Sequence, residues 1–334
     1  MAGKEKVRLS SAELAALWST YENETMMTQM MTYFINKTTD SRIRNVLSDA
    51  KSINDEHIKY IKAIYKSENH PIPRGFDEDD VDPAAEQLFS ETFFLNFVHN
   101  MSRTTINVFG DFYTSSARAD IVQFFDEALD DQKKLYKKTL HLLLELGIYT
   151  RPAFLPIPKR IDFVNKQNYL NGWFAEKRPL NAMEIANLYI DIQRNGIGKA
   201  LLLGFEQVAQ SKKVRDYMNQ GVKITNKNVE LMARILAKED VNVPPTWDSD
   251  VLNAKGVPFS DRLVTYLIAV VGSLSISLYG TSLGRSLRSD ITAVYMRIIA
   301  EALKYEKEGV NLLISESWLE QPPSSKDNPS YTSE

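Results

Sequence analysis

Ser10-Ser11-Ala12-Glu13-Leu14-Ala15-Ala16-Leu17 and Asn181-Ala182-Met183-Glu184-Ile185-Ala186-Asn187-Leu188 carry one pattern twice. Each begins with a residue that caps helices, places a glutamate three positions later and continues into an apolar stripe, which is the signature of a capping box. Outward from this pair the register holds at an offset of 171: Leu9 falls on Leu180, Phe34 on Phe205, Arg44 on Arg215, Ile53 on Ile224, Glu68 on Glu239, Pro73 on Pro244 and Asp77 on Asp248. After a one-residue deletion the offset becomes 170. Phe89-Ser90 then meets Phe259-Ser260, Gly110 meets Gly280, Arg118, Asp120 and Ile121 meet Arg288, Asp290 and Ile291, and Pro152 meets Pro322. Identities are sparse, but apolar positions match throughout. A period this long is a duplicated domain, since solenoid units are several times shorter.

Each copy reads as four long helices. The first carries Leu14, Leu17, Tyr21, Met31 and Ile35 at helical spacing, and the second, about 41–68, turns Ile43, Val46, Leu47, Ala50, Ile53, Ile61 and Ile64 inward. A proline-bearing loop and the acidic stretch from Asp77 to Asp82 follow. The third helices cover roughly 88–114 and 259–284, and the fourth roughly 117–147 and 287–317, with Ser116 and Ser286 expected as N-caps and Asp120 and Asp290 in the first turns, where the helix dipole favours an anion. Four rods with a long crossing between the second and third describe an all-α protein of two tandem ferritin-like four-helix bundles related by internal duplication. The expected domains are 1–150 and 180–321. Between them, 151–179 is a linker with Pro152, Pro156 and Pro158, whose Phe163, Trp173 and Phe174 are expected to pack between the bundles. A polar tail, 322–334, is expected to be disordered.

Composition narrows the function. The chain has 334 residues, 43% hydrophobic and 25% charged, and 40 basic against 43 acidic side chains give a net charge of −3. That balance gives no overall pull toward nucleic acid or anionic lipid; Lys4, Lys6 and Arg8, offset by Glu5, make a poor basic arm, and the charges of helix four alternate as on a solvated face. There is no cysteine, hence no disulfide, thiolate metal site or cysteine nucleophile. The N-terminus lacks the apolar stretch of a signal peptide. Residues 263–284 hold no charge and include Gly280 and Gly284 as a GxxxG, but their counterpart 93–114 holds His99, Arg103 and Asp111, which argues for a buried helix in both copies. A cytoplasmic protein, or one incorporated into the spore, is expected.

Several stretches resemble a known family. Arg178-Pro179-Leu180-Asn181 with Glu184-Ile185, Gly204-Phe205-Glu206-Gln207-Val208-Ala209, Pro258-Phe259-Ser260-Asp261, Arg288 with Asp290, and Trp318-Leu319-Glu320-Gln321-Pro322-Pro323 are similar to those of tandem ferritin-like bundles from spore-forming bacilli, loosely grouped with spore coat proteins. The resemblance spans nearly the whole chain. It implies the fold and a spore-forming host, and no activity.

Chemistry has few candidates. A di-iron bundle requires Glu-x-x-His on two helices, and none occurs: Asn54, Asn96, Ser67 and Lys138 precede His57, His99, His70 and His141 at that spacing. A reduced set, one donor per helix at one level, is Glu24, His57, His99 and Asp131, which would take a single Zn, Fe or Mn ion in the first bundle. The second copy has Asn195, Asn228, Ala269 and Glu301 there and would hold no metal. The Met26-Met27…Met30-Met31 cluster reads as core filling. Gly196-Ile197-Gly198-Lys199 follows no strand and fails as a phosphate loop; its glycines read as a place where another helix approaches or a small apolar ligand enters, and Gly280–Ser286 has the wrong spacing. No hydrolase, zincin or kinase motif appears. The expectation is a non-catalytic structural or interaction protein, spore-associated, with no cofactor, no nucleic acid and no membrane, and with itself or other spore proteins as partners. The alternative is a metal-binding or oxidase-type protein with one degenerate site.

Overall fold

A computed structural model describes residues 7–172 and 177–326. Among these residues it contains eight α-helices: α1 (Ser11–Lys37), α2 (Ser41–Ser67), α3 (Glu91–Ser115), α4 (Ala119–Glu145), α5 (Ala182–Val208), α6 (Lys212–Ala237), α7 (Asp261–Gly284) and α8 (Ser289–Ser315). At 1.5 Å per residue, the 27-residue helices are about 40 Å long. Helices α1 and α5, and α2 and α6, begin 171 residues apart; α3 and α7, and α4 and α8, begin 170 apart. The duplication is therefore legible in the element boundaries themselves.

The deletion sits earlier than expected. Short 3-10 turns at Glu78–Asp80 and Asp248–Asp250 already stand 170 apart, so Asp248 matches Glu78 and not Asp77. The residues before the turns have diverged. Asp77 caps its turn through Asp79 N, whereas Trp247 lays its ring over Gly196 of α5, 3.0 Å from where a Cβ would stand. That ring is what the Gly196 gap admits; a loop aromatic approaches there, and no helix is needed.

Two compact units share the described chain. The first takes the residues through Tyr149, Gly256–Leu263 and those from Ser317 on; the second takes Thr150–Lys255 and Val264–Glu316. In the first, one core cluster joins Leu17 and Tyr21 of α1, Ile61, Ile64 and Tyr65 of α2, Phe109 of α3 and Ile121, Phe124 and Phe125 of α4. Toward the other end, Phe34 stacks on Phe94 at 4.2 Å and meets Phe97 edge-on. Met26, Met30 and Met31 fill the same interior, as gap-filling thioethers do. The segment Gly256–Leu263 pairs with the α2–α3 connection through an antiparallel bridge, Val81 to Phe259. In the second unit, Leu188, Tyr189 and Ile192 of α5, Met232 and Leu236 of α6, Tyr279 of α7 and Ile291, Tyr295 and Ile298 of α8 form the matching cluster. By length and composition α7 alone among the described helices could cross a membrane, and its Leu263, Val264, Leu267, Ile268 and Ala269 are buried in the structure.

The fourth helices are capped differently from expectation. Ser116 and Ser286 bond back to Phe112 O and Ser282 O, and α4 and α8 begin after Arg118 and Arg288, neither of which caps through its side chain. The free N–H groups are met from another helix. Glu13 accepts from Ala117 N (3.0 Å) and Arg118 N (2.7 Å), and Glu184 accepts from Leu287 N (3.1 Å) and Arg288 N (3.0 Å). One carboxylate thus closes the start of its own helix and that of the fourth.

In the linker, Phe163 is 89% exposed, which overturns the expectation that it packs. Residues 151–166 form no regular element, and prolines at 152, 156 and 158 keep a helix from forming there. Trp173, Phe174 and residues 327–334 of the expected tail lie outside the described residues.

Candidate functional site

Glu24 is one turn beyond Tyr21 on α1, so the apolar stripe carries it inward; His57 is one turn before Ile61 on α2 and shares that helix's buried face. The His57 Nδ1 atom lies 3.0 Å from Glu24 Oε1, and both side chains are buried. The Asn54 amide, with its nitrogen toward Glu24, donates to Glu24 Oε2 and to Ala50 O. The imidazole edge packs on Phe124 and Phe109, with centroids at 5.5 and 6.0 Å. Its other nitrogen, Nε2, is buried without a hydrogen-bond partner and faces Asp131 Oδ2 at 3.9 Å. Asp131 is partly exposed, bound by Lys134 at 2.9 Å, and lines an open hollow of about 270 Å³ with Asp49, Glu56, Lys134 and Lys138. Burial pulls the His57 pKa down, but the hydrogen bond and charge of Glu24, with the charges of Asp131 and Glu56, outweigh it and leave the pKa raised. Geometrically this is a carboxylate–histidine pair with an open nitrogen. Such a pair can hold a proton between α1 and α4 or present a lone pair to a ligand.

His99 does not join it. Its Nδ1 lies 2.9 Å from Thr139 Oγ1, its ring stacks on Tyr136 at 4.7 Å and meets Tyr149 edge-on, and burial, with the nearby Arg103 charge, lowers its pKa to about 4. Thr139 is eight residues beyond Asp131 on α4, about 12 Å along the helix. The four-donor level expected of Glu24, His57, His99 and Asp131 thus brings three residues together and leaves His99 elsewhere. Among the described residues no group of three or more His, Asp or Glu side chains is arranged to hold a metal ion.

The second unit fills the same positions with other chemistry. Asn195 donates to Tyr279 Oη at 2.6 Å and to Asp191 O; Asn228 and Ala269 are buried, and Glu301 is tied to Lys227 and Arg297. Beside Asn195 lies a polar centre absent from the sequence reading. Asp191, fully buried, accepts from Ser282 Oγ (2.7 Å) and Tyr295 Oη (3.0 Å) and pairs with Arg194 (3.2 Å). Burial raises its pKa in spite of these three donors. The available signal was an aspartate between Leu188 and Ile192, inside the apolar stripe of α5.

What the copies share polar-for-polar lies at the helix ends. Arg118 binds Glu68 (2.8 Å) and Asp120 (2.8 Å), and Arg288 binds Glu239 (2.5 Å) and Asp290 (2.8 Å). With Glu13 and Glu184, these four-residue knots tie the start of the first helix, the end of the second and the start of the fourth. Burial works against Glu13, yet the N–H groups of Ser10, Arg118 and Ala117 hold its pKa down at about 2. The second knot adds Arg178, bidentate on Glu184 at 2.7 and 2.8 Å, and Lys177 on Asp290. A matching pair anchors the ends of the first helices: Arg44 donates to Thr38 O and Arg215 to Ala209 O.

No curated protein matches the chain. Among solved structures, a putative spore coat protein from Bacillus halodurans is similar at 15% identity with a TM-score of 0.43, over 45% of this chain and 98% of that one. The model of a family described as protein of unknown function (DUF3231) matches residues 2–161 and again 168–330. Two tandem copies thus account for nearly the whole sequence, and the chain belongs to the DUF3231 family.

Proposed function

We propose that the protein is a non-catalytic structural or interaction protein, associated with the spore as the loose grouping of the family it resembles with spore coat proteins suggests. One observation carries this reading. Between the two copies, Phe154, Ile157, Ile161 and Phe163 are 87–93% exposed, and Leu155 and Val164 are exposed beside them. Each such side chain forgoes about 1.5–3 kcal/mol of burial. Prolines at 156 and 158 hold the run extended, so docking it to a partner costs less ordering than docking a free tether. At its C-terminal end the segment is tied to the second knot through Arg178 on Glu184. The partner is a protein with an apolar groove, and a second copy of this chain is the first to test. Serine at 154, 157, 161 and 163 should leave helical content unchanged, abolish concentration-dependent association in sedimentation equilibrium, and disperse a fluorescent fusion in a sporulating bacillus. The proposal fails if the parent chain sediments as a monomer at all concentrations and the fusion distributes like its serine variant.

A second reading is favoured by the open Nε2 of His57. With Glu24 fixing the tautomer, Nε2 and Asp131 offer two donors to one Zn, Fe or Mn ion, with water completing the shell. Lys134 competes for Asp131, which keeps this reading second. Protein dialysed against each metal should carry one ion per chain, lost in His57→Ala; absence of stoichiometric metal after reconstitution ends it.

A further inference from the structure

We propose that residues 317–320 form a strap fastened to α1 by a single proton held between the carboxyl groups of Glu22 and Glu320, and that rising pH releases it. Glu22 lies in α1 with 1% of its surface exposed, and its carboxyl is in hydrogen-bond contact with that of Glu320. Two carboxylates repel and neither can donate, so this contact needs one proton. The surroundings say which partner carries it. Glu320 accepts from Arg74 N at 3.0 Å and Gly75 N at 3.4 Å, as an anion does. The Gly75 N–H also acts on the Glu22 carboxyl, but Glu22 Oε1 is buried without a partner, which an ionised carboxylate would tolerate poorly.

From α1 and α2 come the phenols of Tyr21 and Tyr65, both held neutral by burial, the first with its pKa pushed up to about 12. From the α2–α3 connection come the Arg74 and Gly75 backbone and Asp80. From Gly256–Leu263 comes the cation Arg262, which is engaged with Asp80 (3.2 Å) and Gly75 O (2.7 Å) and stacked on Phe76. Arg262 therefore softens the repulsion without neutralising it, and burial with the Glu320 charge raises the Glu22 pKa to about 8.

The sign follows from linkage. Docking the strap takes up a proton, so the ratio of docked to free strap falls up to tenfold per pH unit from the ordinary glutamate range to about pH 8, then levels. This is independent of the linker and of His57. The test uses Trp318, two residues before Glu320, in full-length protein labelled with 5-fluorotryptophan, the resonance assigned by Trp318→Phe. Between pH 6.5 and 9.5 the Trp318 signal should move toward its solvent-exposed position. In Glu22→Gln, where a neutral amide donates to Glu320 at every pH, it should stay in place. A parent signal that does not move, or a Glu22→Gln signal that moves in the same way, overturns the proposal.

Discussion

At the starts of α1 and α5 the same four kinds of side chain meet in the same way, whereas eleven residues further along, Glu24 faces a histidine and Asn195 faces a tyrosine. About 16 Å of helix separates the two levels. The difference assigns roles. Glu13, Glu68, Arg118 and Asp120, like Glu184, Glu239, Arg288 and Asp290, satisfy backbone groups and charges at helix ends, a need set by the fold and so present in both units. The mid-bundle positions have no such backbone need, because an interior helical turn bonds within itself. They were free to become Glu24, His57 and Asp131 in one unit and Asn195, Asn228 and Glu301 in the other, with Asp191, Ser282 and Tyr295 nearby where the first unit has Thr20, Phe112 and Phe125.

The largest effect that could break this comparison lies in the knots. Arg288 has a side chain 3% exposed against 9% for Arg118, and its partner Asp290 is 11% exposed against 40% for Asp120. Arg288→Ala leaves the buried Asp290 with Lys177 as its remaining cation and Glu239 without its partner, and should cost about 3–5 kcal/mol. Arg118→Ala leaves Asp120, which water reaches, beside a mostly buried Glu68, and should cost about 2 kcal/mol. Calorimetry of the two variants would show this as unequal losses in their units. Equal losses would mean that burial does not distinguish the knots.

A smaller effect tests how the interiors diverged. In the second unit Tyr217 and Tyr305 stack at 4.5 Å, and each hydroxyl stands where a Cβ on a glycine would be: Tyr305 over Gly221, and Tyr217 over Gly309. The corresponding residues of the first unit are Val46, Leu135, Ala50 and Thr139. Two rings thus occupy the room that two missing side chains leave. Gly221→Ala alone should destabilise by about 1–3 kcal/mol through overpacking, despite the better helix propensity of alanine. Adding Tyr305→Leu, the first unit's residue, should recover much of that loss, a coupling readable in a double-mutant cycle of urea midpoints.

The fold was legible in the sequence because its signals are local and doubled: capping boxes at Ser10 and Asn181, apolar stripes and a constant offset. Pairings across helices were legible only in part. Glu24, His57 and Asp131 share a level because helical rise is regular, but His99 failed since its level depends on how α3 slides against α4, which no spacing records. Ser116 and Ser286 looked like caps because cap propensity is local, whereas the glutamates that do the capping arrive from 104 residues away. The Glu22–Glu320 contact was hidden for the same reason.

The smallest effect separates a structural histidine from an idle one. The folded-state pKa of His57 is raised, so its stabilisation is complete below the ordinary histidine value of about 6.5 and is lost as pH climbs through the higher folded value. His57→Asn, which installs the residue type of the second unit, keeps a donor for Glu24 and removes the titration. It should cost about 1–2 kcal/mol at pH 6 and less at pH 9. Glu22 also makes the first unit less stable as pH rises toward 8, so the comparison belongs in a Glu22→Gln background, where that slope is gone. If the difference between Glu22→Gln and Glu22→Gln/His57→Asn is the same at pH 6 and pH 9, His57 carries no proton between α1 and α4. Its open nitrogen would then be free at neutral pH for the ion of the second reading, and competition between proton and Zn²⁺ would be the next quantity to measure.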